Sequence, residues 1–287
     1  MKRTASPLVA ANDLASRLGD PNLRIADVRW YLGQPGEGRR RYEAGHLAGA
    51  VFVDIDTDLT APSGPGRHPL PEPGAFVARM GELGIGDEHD VVVYDDAGGT
   101  IAARLWWMLD ALGHRSVAVL DGGLPAWEAA GLALTAEIRS YAPARLTVPA
   151  GGWPRTLTRD ELKRRLGKVV LLDARAGPRY RGEVEPVDRV PGHIPTAVSA
   201  PTDGNLAGDR RFATPAALRE RFASLGAADL DGDVVTSCGS GITACHNALA
   251  MRVAGLPDPI LYPGSYSDWT AAGEPVATGS EPGSRPK

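Results

Sequence analysis

Short apolar runs alternate with longer amphipathic stretches along most of the chain. The runs at 91–93, 117–120 and 169–172 are continuous in apolar residues and bounded by turns. Such runs are typical of strands buried on both faces, as in a parallel sheet that is covered by helices. Helical periodicity predicts helices near residues 9–19, 73–84, 101–112, 159–166, 215–225 and 243–254. The pattern therefore predicts an α/β fold.

Two of the predicted helices carry recognisable start signals. Thr158-Arg-Asp-Glu161 has the spacing of a capping box, in which each of the two side chains accepts a backbone N–H of the other. Thr214 precedes Pro215, which places a capping side chain before a proline at the first helical position. Both signals support the helices predicted near 159–166 and 215–225.

An internal repeat of about half the chain length is the strongest structural signal. Four blocks recur in the same order: IADVR at 25–29 as LLDAR at 171–175, GHLAGAV at 45–51 as GHIPTAV at 192–198, VVVY at 91–94 as VVTS at 234–237, and LDGGLPAW at 120–127 as LYPGSYSDW at 261–269. Four ordered matches indicate a duplicated domain. We predict two α/β domains, each a parallel sheet flanked by helices.

The domain boundaries are predicted from composition. The stretch from 133 to 155 has weak periodicity and several prolines and glycines, which is typical of a linker. We therefore predict an N-terminal domain at 1–135, a linker at 136–155 and a C-terminal domain at 156–275. The last residues, 276–287, are rich in Gly, Ser, Pro and Glu and are predicted to form a flexible tail.

Composition narrows the class of protein. The 287 residues are 43% hydrophobic and 23% charged, with a net charge of -4, so a large core is feasible and nucleic acid is not an expected partner. No apolar run approaches the length of a membrane span, and the first residues lack the apolar core of a secretory signal. The two cysteines form neither a disulfide framework nor a zinc site. We expect a cytoplasmic protein without a membrane partner.

Candidate chemistry is concentrated at Cys238. The strand predicted at 234–237 leads into Cys238-Gly-Ser-Gly-Ile-Thr243, and a helix follows. Sites in parallel α/β sheets form at the carboxyl ends of strands, and a glycine loop before a helix can aim backbone N–H groups at an anion. A free cysteine is often only a small buried hydrophobe. The loop and the repeat favour instead a thiolate nucleophile at Cys238, whereas Cys245, within the helix, is expected to be structural.

These motifs resemble the tandem-domain rhodanese family over nearly the whole chain. The Cys-Gly-Ser-Gly-Ile-Thr-Ala loop looks like the active loop of the 3-mercaptopyruvate branch, as does the segment from Asp173-Ala-Arg through Arg179-Tyr-Arg-Gly to Pro191-Gly-His-Ile-Pro. The thiosulfate branch typically has basic residues after the cysteine, where this chain has neutral Gly239 and Ser240. The first copy, with Tyr94-Asp-Asp at the equivalent place, resembles the silent N-terminal domain of the family.

The resemblance implies roles for particular side chains. Arg179 matches the arginine that grips the substrate anion, and Arg189 is the nearest candidate for a second one. Asp56 would orient Ser240 for proton relay, or would only cap a turn; His68 would join the cleft, or would be an ordinary loop residue. The loop residues implied to bind the donor are Gly239, Gly241, Ile242 and Thr243.

Residues that occur in both copies are expected to hold the fold, because one copy is silent. This applies to Asp27 and Asp173, and to His46 and His193. The tryptophans at 106, 107, 127 and 269 are expected to pack in cores or interfaces.

The implied reaction is sulfur transfer through a Cys238 persulfide, without cofactor or metal. A small anionic donor, 3-mercaptopyruvate, loads the cysteine, and a thiol, cyanide or a thioredoxin-like protein unloads it. The alternative donor is thiosulfate. A cysteine phosphatase or arsenate reductase is disfavoured because Ala244 stands where phosphatases place an arginine. A non-enzymatic sulfur carrier or redox-sensing partner protein, with Cys238 loaded by another enzyme, remains a further alternative.

Overall fold

The structure is a computed structural model that describes residues 6–114, 116–148, 151–228 and 233–286. Its compact parts are two units of discontinuous sequence. Unit 1 draws its described residues from Met1–Ala61, Pro71–Pro154 and Gly208–Phe212, and unit 2 from Pro62–Leu70, Arg155–Ala207 and Ala213–Lys287. Each unit has its own sheet and its own core.

Unit 1 contains a five-stranded sheet in the order β1-β5-β4-β2-β3, and every strand pair in it is parallel. The strands are β1 (Leu8–Val9), β2 (Leu23–Asp27), β3 (Ala50–Phe52), β4 (Asp90–Tyr94) and β5 (Val117–Leu120). The helices are α1 (Ala11–Ala15), α2 (Glu37–Ala44), α3 (Pro73–Glu82), α4 (Ala102–Ala111) and α5 (Gly123–Ala129). The apolar run in β4 is buried, as expected for a strand covered on both faces.

Unit 2 contains a four-stranded parallel sheet in the order β7-β6-β8-β9. The strands are β6 (Val170–Asp173), β7 (Ala197–Ser199), β8 (Val234–Ser237) and β9 (Ile260–Leu261). The helices are α6 (Arg159–Arg165), α7 (Gly177–Arg181), α8 (Pro215–Ser224), α9 (Ala244–Val253), α10 (Ser265–Ala271) and a 3-10 turn at Thr202–Asn205. The predicted α/β fold with two duplicated parallel sheets is confirmed.

Equivalent strand ends in the two units carry the same buried ion pair. Arg29 donates through Nε and Nη2 to the carboxylate of Asp27, and Arg175 donates through the same two atoms to Asp173. Each Nη2 also donates to a backbone carbonyl, of Gly45 in unit 1 and of Gly192 in unit 2. Because both pairs are buried and present in both units, the predicted structural role of the aspartates is confirmed.

The duplicated histidines fasten a later segment to each unit. The ring of His46 lies within hydrogen-bond distance of the carbonyls of Tyr42 and Glu137, and the ring of His193 has the same relation to Tyr180 and Glu281. Both rings are fully buried, and each stacks on the tyrosine four or thirteen residues before it. The predicted structural role of both histidines is confirmed.

Helix starts follow the predicted signals, whereas the first helix is shorter than predicted. Thr158 and Glu161 form the complete capping box of α6, and the Thr214 side chain accepts the N–H of Ala217 at the start of α8. The helix predicted at 9–19 covers only α1, because Val9 pairs with Leu120 as a strand and the chain turns after Ala15. A two-residue strand has too few residues to show a period of its own.

The compact units cross the predicted domain boundaries. The predicted linker packs on unit 1: the Tyr141 hydroxyl donates to Gly49 O at 2.8 Å, and the Ala144 N–H donates to Gly81 O at 2.9 Å. The predicted tail at 276–287 packs on unit 2, since Ala277 forms a bridge with His193 and Thr196 N–H donates to Pro282 O. Proline and glycine content predicts irregular backbone, but irregular backbone can still be hydrogen-bonded. Lys287 lies outside the described residues.

No helix within the described part of the chain combines the length and the apolar character that crossing a bilayer requires.

Candidate active site

Cys238 lies at the carboxyl end of β8, directly before the loop that leads into α9. It is 1% exposed, and the strand that carries it pairs with β6 on one side and β9 on the other. Central parallel strands of this kind end where loops converge, which is the usual place of a site in an α/β sheet. The fold therefore holds the cysteine in the predicted position.

The loop folds back so that a backbone donor meets the sulfur. The Gly241 N–H donates to Cys238 Sγ at 3.0 Å. Gly241 has φ +82°, a left-handed conformation that costs a glycine little. An N–H group aimed at an atom is the kind of donor that binds an anion there, and the N-terminus of α9 follows directly after this loop. The loop thus has the chemistry predicted for an anion-binding turn.

The start of α10 fixes the backbone of Cys238 from the other side. Cys238 N–H donates to Ser265 Oγ at 3.0 Å, and that oxygen lies 4.0 Å from Cys238 Sγ. The N–H groups of Tyr266 and Ser267 donate to the carbonyls of Cys238 and Gly239, each at 2.9 Å. Ser265 itself has φ +52°, an uncommon and strained conformation for a residue with a side chain. Strain of this kind persists only where the surrounding bonds impose it.

Ser240 meets a histidine from a distant part of the sequence. Its Oγ lies 2.8 Å from His68 Nδ1, and both side chains are buried. His68 belongs to the segment Pro62–Leu70 of unit 2, which approaches the loop closely: a Cβ on Gly66 would lie 2.5 Å from the carbonyl of Gly264. His68 thus lies next to the loop, where Ser240 has a partner that can exchange a proton with it, and a role of His68 in donor binding stays a prediction.

Two guanidinium groups face Gly239, the residue after the cysteine. A Cβ on Gly239 would lie 2.9 Å from Arg67 Nη2, and 3.6 and 3.7 Å from Arg179 Nη1 and Nη2. Arg179 was expected here, whereas Arg67 was not. Because Gly239 has no side chain, the Arg67 guanidinium can approach the residue after the cysteine this closely, and positive charge therefore lies beside the loop.

Two buried carboxylates hold these guanidinium groups. Arg179 donates to Glu185 Oε1 at 2.6 Å and to Asp188 Oδ2 at 3.1 Å, and Arg67 Nη1 donates to Asp188 Oδ1. Burial raises the pKa of Asp188 although both arginines act to lower it. Burial is the largest single influence on the pKa of Glu185 and acts to raise it, but the bond and charge of Arg179 together with the backbone N–H groups of Asp188 and Val187 outweigh burial, and the pKa is lowered. The acids neutralise part of the positive charge while fixing its position.

The other residues predicted to belong to the site are Asp56, Arg189, Ile242 and Thr243, and they do not share one environment. Asp56 belongs to unit 1, where its carboxylate accepts the Nε1–H of Trp30 at 3.0 Å, and its role beside Ser240 stays a prediction. Arg189 is exposed, while its neighbour Asp188 points into the cluster. Ile242 is buried and Thr243 is the N-cap residue of α9. Donor binding by these loop residues also stays a prediction.

Cys245 is buried one turn into α9, and its Sγ donates to the Gly241 carbonyl at 3.4 Å. This contact supports the loop backbone from behind, in agreement with the structural role that the sequence indicated.

Sequence reasoning missed Arg67, Asp188 and Ser265. Arg67 directly precedes His68, so the motif that predicted the histidine could have drawn attention to it. Ser265 stands within the repeated block that ends in Trp269, at the place of Gly123 in the first copy. A serine in place of a glycine in an otherwise matching turn is a signal of a side chain that makes a specific bond.

Known proteins match the chain over both halves of its sequence. The family described as Rhodanese-like domain matches residues 10–130 and 158–272. The Pseudomonas aeruginosa protein named "Probable 3-mercaptopyruvate sulfurtransferase" is 45% identical over 285 residues, covering 96% of this chain and 99% of the relative. The thiosulfate sulfurtransferase of Rattus norvegicus is 35% identical over 274 residues, covering 90% of this chain and 89% of the relative.

A solved structure agrees with the sequence relatives. The 3-mercaptopyruvate sulfurtransferase from Leishmania major superposes with a TM-score of 0.80 at 32% identity, covering 92% of this chain and 74% of that chain. The chain therefore belongs to the tandem-domain rhodanese family of sulfurtransferases.

Proposed function

We propose that the protein moves sulfane sulfur from 3-mercaptopyruvate to a thiol or cyanide acceptor through a persulfide on Cys238. The observation that carries this proposal is the short Gly241 N–H bond to Cys238 Sγ, in a loop whose next two residues are neutral and are bordered by guanidinium groups. A donor with a carbon skeleton needs room beside the nucleophile and charge some distance away. Gly239 adds no side chain that could obstruct the approach to Cys238, and Arg179 supplies the charge.

In the loading step the Cys238 thiolate attacks the sulfur of the donor. A sulfur–sulfur bond forms, the sulfur–carbon bond breaks, and its electron pair passes to the carbon as pyruvate enolate. A proton delivered to that carbon completes pyruvate, and the enzyme is left as Cys–S–SH. The loop N–H groups stabilise the terminal sulfur as it becomes an anion. Both atoms and charge balance without a cofactor.

Ser240 is the proposed source of the proton. Its hydroxyl belongs to the loop that carries Cys238 and lies 2.8 Å from His68 Nδ1, so His68 can return a proton to it after each turnover. Asp56 is proposed to assist this relay. The guanidinium of Arg179 is proposed to hold the donor carboxylate, a pairing that suits the fork of an arginine. The loop residues Gly239, Gly241, Ile242 and Thr243 are proposed to line the donor.

In the unloading step an acceptor thiolate or cyanide attacks the outer sulfur. The sulfur–sulfur bond of the persulfide breaks, and the Cys238 thiolate is restored while the acceptor leaves as a persulfide or thiocyanate. A thioredoxin-like dithiol would release the sulfur as sulfide and become a disulfide. Donor product leaves before the acceptor reacts, which gives ping-pong kinetics. A cytoplasmic location, with its supply of reduced thiols, is part of this proposal.

Thiosulfate is the second candidate donor. The two guanidinium groups beside Gly239 would also suit a small dianion, and a relative 35% identical is named for that activity. A phosphatase or arsenate reductase is disfavoured because Ala244 offers no charge to phosphate oxygens.

Two measurements test the proposal. Intact-mass spectrometry after donor treatment is expected to show one added sulfur atom, absent in Cys238→Ser and present in the matched control Cys245→Ser. Steady-state kinetics are expected to give a higher kcat/KM for 3-mercaptopyruvate than for thiosulfate. A preference of about tenfold or more for thiosulfate would overturn the assigned donor. Absence of an adduct with every donor would contradict both an enzyme and a sulfur carrier, and an adduct without turnover would indicate a carrier.

A further inference from the structure

The positive charge beside Cys238 comes from two segments that are distant in sequence. Arg179 lies in α7, whereas Arg67 lies in the segment Pro62–Leu70 of unit 2. Arg67 Nη2 is the nearer of the two to the space above Gly239, at 2.9 Å from a Cβ placed there. A guanidinium this close to the residue after the nucleophile borders the path of any donor that reaches the sulfur.

One edge of the Arg67 guanidinium lacks the carboxylate that the same edge holds in Arg29 and Arg175. Arg29 and Arg175 each use Nε and Nη2 together to hold a carboxylate. Arg67 uses Nη1 for Asp188, while its Nε is buried without a hydrogen-bond partner among the described residues. A buried donor without a partner costs free energy, so a carboxylate that reached this edge would offset an existing cost.

Asp188 accounts for the position of both guanidinium groups. One of its oxygens accepts from Arg67 and the other from Arg179, and its side chain is 2% exposed. Two cations side by side repel each other, and a shared carboxylate between them removes most of that repulsion. The Arg67 side chain is 29% exposed, so the pair is accessible although its anchor is buried.

We propose that Arg67 is the second arginine that binds the anionic end of the donor, with Asp188 as the residue that positions it beside Arg179. This inference rests on the proposed function. It adds a second guanidinium for the donor anion, beside that of Arg179 in α7. Arg189, the candidate suggested by sequence, is exposed, whereas Arg67 faces Gly239. A carboxylate held between two guanidinium groups is fixed in orientation as well as position.

The first experiment compares donor kinetics of the full-length chain. Arg67→Gln is expected to raise KM for 3-mercaptopyruvate about tenfold while kcat stays within about threefold, because a binding contact is lost and the chemistry is not. Arg164→Gln, which removes the same charge from an exposed position in α6, is expected to leave both constants unchanged. Arg67→Lys keeps the charge but not the forked geometry of the guanidinium, so its KM is expected to lie between those of the wild type and Arg67→Gln.

The second experiment measures the anion site without sulfur transfer. Iodoacetate and iodoacetamide alkylate the same thiolate and differ in charge, so the ratio of their rates reports the field of the arginines. Arg67→Gln is expected to lower the iodoacetate-to-iodoacetamide rate ratio about fivefold, whereas a variant damaged only in folding lowers both rates together. Retention of the wild-type ratio would overturn the proposal.

The outcomes separate this inference from the proposed function. If Arg189→Gln raises KM and Arg67→Gln does not, Arg189 is the second arginine and the proposal is wrong. If 3-mercaptopyruvate fails to load the wild-type protein while the alkylation ratio still depends on Arg67, the anion site stands and the assigned donor is wrong.

Discussion

The loop after β4 in unit 1 and the loop after β8 in unit 2 occupy equivalent places in their sheets. Tyr94 pairs with Asp27 in one sheet, and Ser237 pairs with Asp173 in the other. The next residues are therefore counterparts: Asp95 in unit 1 and Cys238 in unit 2. The first loop is one residue longer before its helix begins.

In unit 1 four backbone N–H groups of the loop and the start of α4 are directed at a carboxylate of the chain itself. Asp95 is fully buried and accepts four backbone N–H groups at 2.7–2.8 Å, from Ala97, Gly99, Ile101 and Ala102. Burial raises the pKa of Asp95, and the four donors oppose that shift. The carboxylate is thus a permanent occupant of an anion-binding turn.

The comparison shows why one copy is expected to be silent. Both units build a turn that binds an anion at the end of a central strand, so the ability to stabilise negative charge does not distinguish them. The difference is the atom that carries the charge. A carboxylate oxygen cannot accept and release sulfur, whereas a cysteine thiolate can, and Cys238 Sγ accepts an N–H bond of the same kind from Gly241.

The largest effect is expected when the second loop is given the residue of the first. Cys238→Asp should lower kcat/KM with 3-mercaptopyruvate at least about 10³-fold, because the nucleophile is lost. The melting temperature should stay within about 4 °C of wild type, because a carboxylate can accept the loop N–H groups. Cys238→Ala, which offers no acceptor, is the control and should melt lower. A Cys238→Asp variant that melts no higher than Cys238→Ala would contradict the equivalence of the two turns.

A large effect on stability is expected when the occupant of the first loop is removed. Asp95→Ala leaves four buried N–H groups without their acceptor, which should cost about 3–5 kcal/mol of unfolding free energy. Calorimetry should then show a melting transition lowered by on the order of 10 °C. Sulfur loading of Cys238 at 25 °C should persist, as measured by intact mass.

Asp95→Asn is the matched control for that experiment. It keeps one acceptor oxygen but turns an amide N–H₂ towards other donors, so its melting temperature should fall between those of wild type and Asp95→Ala. A melting temperature of Asp95→Ala equal to that of wild type would show that the carboxylate does not support the loop.

The smallest effect on activity is expected at the first residue of the helix that packs against each turn, α5 in unit 1 and α10 in unit 2. Gly123 (φ +59°) and Ser265 (φ +52°) are counterparts, and only the serine carries a side chain that reaches the nucleophile. Ser265→Gly should relieve roughly 1 kcal/mol of backbone strain, so the melting temperature should not fall. Alkylation of Cys238 by iodoacetamide should slow about threefold, because its backbone loses the Ser265 hydroxyl.

The reverse change tests the same pair of positions. Gly123→Ser should destabilise the protein by about 2 kcal/mol, because a Cβ there would lie 2.4 Å from the carbonyl of Asp95. Ser265→Gly and Gly123→Ser exchange the residues of the two positions, so their effects on stability should differ in sign. If both substitutions changed the unfolding free energy by the same amount and in the same direction, the two turns would not be equivalent.

Local sequence patterns were sufficient to predict the two sheets and the position of Cys238. Continuous apolar runs determine which strands are buried, and a duplicated order of blocks restricts the topology. The capping box at Thr158 predicted a helix start to the residue. These features depend on neighbours in sequence, which is why a single chain reveals them.

Features that depend on distant pairing were not predictable in the same way. Arg67 lies 171 residues before Cys238, and nothing in its own neighbourhood specifies that it packs beside Gly239. Near α7, a loop without a period determines that Asp188 rather than Arg189 faces the cluster, and the sequence alone does not indicate which of the two neighbours faces it. The composition of the tail predicted flexibility. The hydrogen bonds that hold the tail are made to residues far upstream, and composition does not reveal such bonds.

The assignment of Pro62–Leu70 to unit 2 has a consequence for how this chain can be divided. A gene fragment that begins at the second copy would encode Cys238 and Ser240 but neither His68 nor Arg67. We therefore expect that the half that carries Cys238 does not function as an independent module when it is separated from the first half. The two halves have similar folds, but the nine residues Pro62–Leu70 of the first half pack in unit 2, so we expect the site of the second half to depend on the first.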